Sequence, residues 1–176
     1  MRCRSKHWQT QRALAAHERS LNGWFDGSTD LSTRVAHHLL LMKEGDDAFN
    51  RRDVDATNAA HHPDMIAYVT GNPEPIRGRE AHAAAMAGMF QAFPDVHVHN
   101  DPYAIQFGDG EWITVITKTA GTFSGEMVLP DGNTIPGTGR SFELAFATTA
   151  KWENDQLVEE YVFWDSALMT QQIGLA

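Results

Sequence analysis

Helix and strand patterns are unevenly distributed along the chain, and this limits the folds it can form. Up to Pro94 the apolar residues recur mostly at helical spacing, apart from one short strand pattern at 65–69. Four long runs rich in β-branched and aromatic residues follow, at 96–107, 111–122, 140–153 and 156–165. Turn formers such as Gly108-Asp109-Gly110 separate them. Helices followed by a meander of strands predict an α+β fold with a mostly antiparallel sheet, not a doubly wound parallel one.

Three helices are predicted ahead of these strands. The first runs over residues 32–50, a shorter one over 55–60, and a third, amphipathic one over 78–90. Residues 1–34 are predicted to form a separate N-terminal helical arm, and residues 35–176 the main domain.

Composition argues against several classes of protein. The chain has 14 Lys and Arg against 23 Asp and Glu, a net charge of −9, which opposes binding to nucleic acid or to an anionic membrane. Its single cysteine, Cys3, excludes a scaffold built on internal disulfides. No secretory signal is visible, and the longest apolar stretches are far too short to span a bilayer. We therefore expect a cytoplasmic protein.

Four short motifs resemble those of the SnoaL-like polyketide cyclases, a group within the nuclear-transport-factor-2-like superfamily. They are Phe93-Pro94-Asp95-Val96-His97, Gly121-Thr122-Phe123-Ser124-Gly125, the final strand from Leu157 to Asp165, and the closing Gln172-Ile173-Gly174-Leu175. The match covers about residues 35–176. It implies a cone-shaped fold in which N-terminal helices pack on a strongly curved sheet and enclose a pocket.

The resemblance also implies a function. It suggests a cofactor-independent enzyme that performs proton transfer, aldol-type cyclisation or isomerisation on a carbonyl-containing small molecule, with Asp165 as the acid or base. Two alternatives stay open: a non-catalytic ligand-binding or dimerisation module of the same fold, and a hydrolase or dehydratase using the same cavity. Phe123 and Ile116 stand where many members have His and Arg, and Tyr161 replaces a usual Trp. The first two changes make the predicted pocket less polar.

The final strand has two faces with different residues. Alternation groups Glu159, Tyr161, Phe163 and Asp165 on one face, and Val158, Glu160, Val162 and Trp164 on the other. We assign the first face to the pocket, because a carboxylate beside aromatic rings in an apolar cavity is a useful acid or base near neutral pH. The alternative for Asp165 is a helix cap before Ser166. The second face needs cover by another surface, which together with the resemblance predicts a homodimer.

Further side chains are predicted to bind the substrate: Tyr68, His97, His99, Phe123, Phe146, Tyr161 and Phe163. Aromatic rings suit an aromatic or polycyclic carbonyl compound, and hydroxyl or imidazole groups can polarise its carbonyl. We expect no metal and no cofactor, since the chain lacks His-Glu-x-x-His and a cysteine ligand pair. His61 and His62 are interpreted as a helix terminus, and His82 as a surface or packing residue.

Overall fold

The structure, a computed structural model, describes residues 31–129 and 131–176. Most of the predicted N-terminal arm, residues 1–30, lies outside this part of the chain. Residues 31–50 are helical, and we call them α1. The other helices are α2 (Val54–Thr57), α3 (Arg79–Ala92) and α4 (Ser166–Gln172). The strands are β1 (His61–Val69), β2 (Ile76–Arg77), β3 (His97–His99), β4 (Ile105–Asp109), β5 (Trp112–Thr122), β6 (Glu126–Val128), β7 (Thr134–Pro136), β8 (Ser141–Glu153) and β9 (Gln156–Phe163).

Seven strands form one curled sheet. Their order is β2-β1-β9-β8-β5-β3, and β4 pairs with β5 beside β3. All pairs are antiparallel except β1 with β9. The longest ladder joins β5 and β8 from Trp112↔Lys151 to Thr122↔Ser141. The predicted α+β class and mostly antiparallel sheet are confirmed, and the sheet is open at its edges rather than closed into a barrel.

α1 and α3 match their predicted ranges to within two residues. The helix predicted over 55–60 ends at Thr57, and β1 begins at His61 rather than at 65, so His61 and His62 lie in a strand and not at a helix terminus. The predicted run 96–107 is two short strands, because the chain turns between β3 and β4 at residues 100–104. The hairpin of β6 and β7 is not predicted, although Asp131-Gly132-Asn133 between its strands are turn-forming residues. Within the described residues, no helix is long and apolar enough to cross a membrane.

The inner face of the sheet carries the core. Ile113, Val115, Thr117 and Thr119 on β5 are buried, while the residues between them are partly or fully exposed. Two clusters of buried apolar side chains lie on this face. One centres on Phe123, Phe142 and Phe146, and the other on Met65, Trp152 and Leu157. Side chains of α1, α3 and α4 pack against these clusters.

The assignment of faces on β9 is inverted relative to the sequence-based prediction. Lys151 on β8 pairs with Glu159, but Trp152 pairs with Leu157, so Val158 is an extra residue in β9. Beyond this bulge Glu160 and Val162 face the core, and Tyr161 and Phe163 face outward. A one-residue offset exchanges the two faces of a strand. The aromatic face of β9 is therefore the outer one.

Two glycines hold the β6–β7 hairpin against the end of α3. The backbone N–H of Gly125 donates to the carbonyl of Ala92 at 3.1 Å, and a Cβ at Gly125 would collide with the carbonyl oxygen of Gln91. A Cβ at Gly137 would lie 2.6 Å from the carbonyl oxygen of Gly125. The backbones cross here at a distance that only glycine allows.

We expect Gly125→Ala to lower the free energy of unfolding by about 1–3 kcal/mol, because the added methyl group must push the hairpin off α3. Gly88→Ala is the matched control: it adds the same atom inside α3, where nothing lies within 4 Å. That variant should gain up to about 1 kcal/mol from its better helix propensity. Urea unfolding measures both, and equal effects would contradict the close-approach interpretation.

Candidate functional site

A cavity of about 620 Å³ lies between α1, α3 and the inner face of the sheet. Most of its lining is apolar, with Met42, Met86, Met89, Phe146, Val162 and Trp164 among the contributors. Its polar lining includes Asp46, His61, His82, Thr117, Thr119 and Glu160. A largely apolar cavity with a few polar groups is the usual form of a small-molecule site.

Of the seven predicted substrate-binding residues, Phe146 lines this cavity. Tyr68 and Tyr161 stack on each other at 4.6 Å on the outer face of the sheet, and Phe163 lies beside them. Tyr161 and Phe163 share one face of β9 as predicted, but that face is the outer one and not the pocket side.

The remaining three predicted residues also lie outside the cavity lining. His97 and His99 pair with Ala120 and Lys118 of β5, and both are exposed on the outer face. Phe123 is fully buried in the core cluster around the aromatic rings of Phe93 and Phe142. These positions have a physical cause, since strand alternation sends residues 97 and 99 to the side opposite Val98, which does line the cavity.

Asp165 lies at the N-terminus of α4. Its Oδ1 accepts a hydrogen bond from the backbone N–H of Leu168 at 2.9 Å, which is the contact of an N-cap. The residue is exposed and does not belong to the cavity lining. The structure therefore places Asp165 at a helix terminus rather than in the cavity lining, and the helix cap weighed as the alternative is present.

Glu160 is the buried carboxylate of the inner face. The bulge in β9 turns it inward, where it lies between Ala67 of β1 and Ala150 of β8. These small neighbours leave space for His82 of α3, whose Nε2 is 3.0 Å from Glu160 Oε1. Burial alone would raise the pKa of Glu160, but the contact with His82 outweighs it and lowers that pKa.

Asn58 fixes the orientation of the His82 ring. The side-chain N–H of Asn58 donates to the carbonyl of Val54 at 2.8 Å, so its Oδ1 faces His82 Nδ1, also at 2.8 Å. Because Oδ1 can only accept, Nδ1 of His82 carries a proton and Nε2 is the atom directed at Glu160.

His61 begins β1 and stacks on the ring of His82, with 4.8 Å between ring centroids. Its side chain is buried, and its Nδ1 finds no hydrogen-bond partner among the described residues. Burial lowers the pKa of His61 to about 4, so the ring is neutral at physiological pH. A neutral imidazole offers an unshared electron pair.

Asp46 of α1 is a second acidic group in the cavity lining. Its Oδ2 accepts a hydrogen bond from the Tyr103 hydroxyl at 2.7 Å. Burial raises the pKa of Asp46 to about 7; Tyr103 opposes this, Glu160 and Asp47 add to it, and Lys43 lowers it slightly. A carboxyl group with such a pKa is half protonated near neutral pH, where it can either give or take a proton.

Sequence reasoning missed Asp46, His82 and Glu160 as site residues. Glu160 carried a usable signal, because it shares a face with Val162 and Trp164, where an unpaired carboxylate is unexpected. Asp46 and Asp47 are neighbours on one helix, and nothing in the sequence tells which of the two carboxyl groups faces the cavity.

The chain matches the family model described as SnoaL-like polyketide cyclase over residues 39–173. No curated protein matches it. This match spans the elements that build the cavity, from α1 to α4.

Several solved structures are similar to the chain. A candidate polyketide cyclase from Xanthomonas campestris pv. campestris has 18% identity and a TM-score of 0.67, covering 80% of this chain and 98% of its own. IdmH, a candidate polyketide cyclase from Streptomyces antibioticus, has 22% identity and a TM-score of 0.62, covering 76% and 96%. A Catenulispora acidiphila protein with a ketosteroid isomerase-like fold, in complex with trimethylamine, has 15% identity and a TM-score of 0.63, covering 77% and 93%. At these identities the likeness shows the fold alone.

We expect Asp46→Asn to stabilise the protein above neutral pH. Between about pH 4 and 7 the unfolded wild type loses the proton that folded Asp46 keeps, so its stability falls as pH rises through that window. A shift of one pKa unit corresponds to about 1.4 kcal/mol. Allowing for the partial exposure of Asp46, the free energy of unfolding of the variant should rise relative to that of the wild type by on the order of 2–4 kcal/mol as the pH increases through this window. Urea unfolding at pH 5 and pH 8 measures the change.

Asp47→Asn is the control for this measurement. The hydrogen bond from Asn100 Nδ2, at 2.8 Å, holds the pKa of Asp47 below its usual range. Its own ionisation is therefore already complete at pH 5, so the variant should be less stable than wild type at both pH values, with only a small change between them that comes from the lost repulsion of Asp46. A difference between Asp46→Asn and wild type that does not vary with pH would contradict the raised pKa.

Proposed function

The chain belongs to the SnoaL-like polyketide cyclase family, and from that premise we propose that it is an enzyme that transfers protons on a small, largely apolar, carbonyl-containing molecule. The observation that carries the proposal is Asp46, a carboxyl group with a pKa of about 7 in the lining of an apolar cavity. A general acid or base is most effective when its pKa is near the working pH.

The polar residues of the cavity lining can take different roles in proton transfer. Asp46 would take a proton from the carbon beside the substrate carbonyl and return it elsewhere on the molecule. The hydroxyl of Tyr103, donated to Asp46 at 2.7 Å, would hold the carboxyl in one orientation. The hydroxyls of Thr117 and Thr119 hydrogen-bond to each other at 3.0 Å, which leaves one of the two free to donate to a carbonyl or enolate oxygen.

The apolar lining supports a substrate class. Phe146 and Trp164 stack at 4.9 Å on one side of the cavity, and Met86 and Met89 of α3 contribute flexible side chains to its lining. Flat rings beside adaptable thioethers suit an aromatic or polycyclic carbonyl compound. Cyclisation of the aldol type and isomerisation both begin with the proton abstraction assigned to Asp46.

Deuterium exchange tests this proposal without the natural substrate. The probe is β-tetralone, an apolar aromatic ketone whose α-protons exchange slowly in heavy water, followed by proton NMR. We expect the wild-type protein to accelerate exchange, and Asp46→Asn to lower that acceleration by about 10²- to 10⁴-fold, because Asn keeps the shape but cannot take a proton. The rate should rise with pH through about 7.

Asp165→Asn separates the two candidate carboxylates. Asn is a good N-cap, so this variant keeps the contact to Leu168 while removing the charge. We expect its exchange rate to equal that of the wild type, whereas a large loss would return the catalytic role to Asp165. Tight binding of β-tetralone with no exchange would instead favour the alternative of a non-catalytic ligand-binding module.

We also propose that the protein forms a homodimer through the outer face of the sheet. The apolar residues on this face include Phe107 and Phe163, whose exposed fractions of 59% and 53% are unusual for rings on a sheet. Tyr68, Tyr161 and Trp112 extend the same patch. The cover expected for Val162 and Trp164 is supplied from within the chain, since both line the cavity.

Phe107→Lys combined with Phe163→Lys should convert a dimer to a monomer in analytical ultracentrifugation at micromolar concentration, because two charges would face the apolar partner surface. Leu168→Lys is the control: this leucine is 39% exposed and lies on α4 rather than on a strand of the sheet. A wild-type protein that sediments as a monomer would overturn the dimer.

A further inference from the structure

We propose that His61, His82 and Glu160 form a binding site for one divalent first-row transition-metal ion, at the inner face of the sheet beside the cavity. One donor atom from each residue lies within 4.8 Å of the other two. Zinc binds imidazole and carboxylate ligands at about 2.0–2.2 Å, so ligands in a complete site are about 3–4 Å apart. The three residues therefore need a side-chain shift of no more than about 1 Å to close around an ion.

The contact between His82 and Glu160 has the geometry of two ligands. Nε2 and Oε1 are 3.0 Å apart, yet Oε1 has no aligned hydrogen-bond partner among the described residues. A shared proton must lie close to the line between the two atoms. A metal ion about 2.1 Å from each atom lies off that line. The angle between its bonds to the two atoms would be roughly 90°, which is the angle between adjacent ligands of a five- or six-coordinate ion.

His61 adds an independent observation. Its side chain is 8% exposed, it lines the cavity, and its buried Nδ1 has no partner in the described part of the chain. A buried polar atom without a partner is costly, and an ion bound at Nδ1 would relieve that cost.

The surroundings of His82 match those of a metal ligand. Ligating histidines usually donate their second ring N–H to an oxygen that fixes the orientation of the ring. Here Nδ1 donates to Asn58 Oδ1 at 2.8 Å, and Asn58 is itself held by the carbonyl of Val54. Nε2 is thereby left to face Glu160.

The donor set selects the class of ion. Two imidazoles and one carboxylate favour Zn²⁺, Co²⁺ or Fe²⁺, whereas Ca²⁺ and Mg²⁺ require mostly oxygen ligands. Three protein ligands leave coordination positions open, and all three residues line the cavity. A water or a ligand oxygen in the cavity can occupy those positions. The site goes beyond the proposed function, which rests on Asp46 and requires no metal.

Cobalt titration tests the site directly. The full-length protein, freed of metal with EDTA and desalted, is titrated with Co²⁺ while its visible absorption is recorded, and bound metal is counted after gel filtration. We expect one Co²⁺ per chain, and at least about 100-fold weaker binding in Glu160→Gln and in His82→Gln. Cobalt should also raise the melting temperature of the wild type, a measurement that needs no variant.

His97→Ala combined with His99→Ala is the matched control. Those two rings lie 4.9 Å apart on the exposed outer face and are a competing place for adventitious metal. We expect this double variant and Asp46→Asn to bind Co²⁺ as the wild type does. No stoichiometric binding by the wild type, or loss of binding in His97→Ala/His99→Ala, would overturn the site. Loss of ketone exchange in Asp46→Asn with cobalt binding intact would leave the two proposals separately supported.

Discussion

The interior of this protein depends on one extra residue in a strand. Val158 offsets the pairing of β9 with β8, so that Leu157 and Glu160, three positions apart, both face inward. Without that bulge, regular alternation would send Glu160 to the outer face. The irregular pairing of β8 with β9 thus brings Glu160 to the cavity, where it contacts His82 of α3 and forms the polar end of the lining.

Several ionisable groups share the lining of one apolar cavity, and their protonation states depend on each other. Glu160 keeps its charge through contact with His82, and that negative charge helps to hold the proton on Asp46. Such an arrangement opposes folding, since charged groups lose hydration when buried. Proteins keep strained or desolvated groups mainly where they serve function, which makes this cluster more informative than the many carboxylates on the surface.

The fold was largely predictable from the sequence, and the site was not. Turn residues and long β-branched runs mark strands locally, so the order of elements after Pro94 follows from the residues themselves. Which face of β9 lies inside depends on its pairing with β8 and on the helices that cover it, and neither is encoded within the strand. Because Tyr161 and Phe163 are aromatic, the sequence predicts that their face of β9 is buried, although it is the outer face. His82 and Asp46 reach the cavity only through helix packing.

The close crossing at Gly125 has a consequence for how proteins of this shape can diversify. The hairpin that carries Met127 and Val128 into the cavity lining is fixed to α3 by backbone atoms, at a point where no side chain can be added. The position of that wall therefore cannot be adjusted gradually by substituting larger or smaller residues at the crossing. A bulkier ligand can therefore be accommodated by replacing the methionine and aromatic side chains that line the cavity with smaller ones, or by changing the conformation of the whole hairpin.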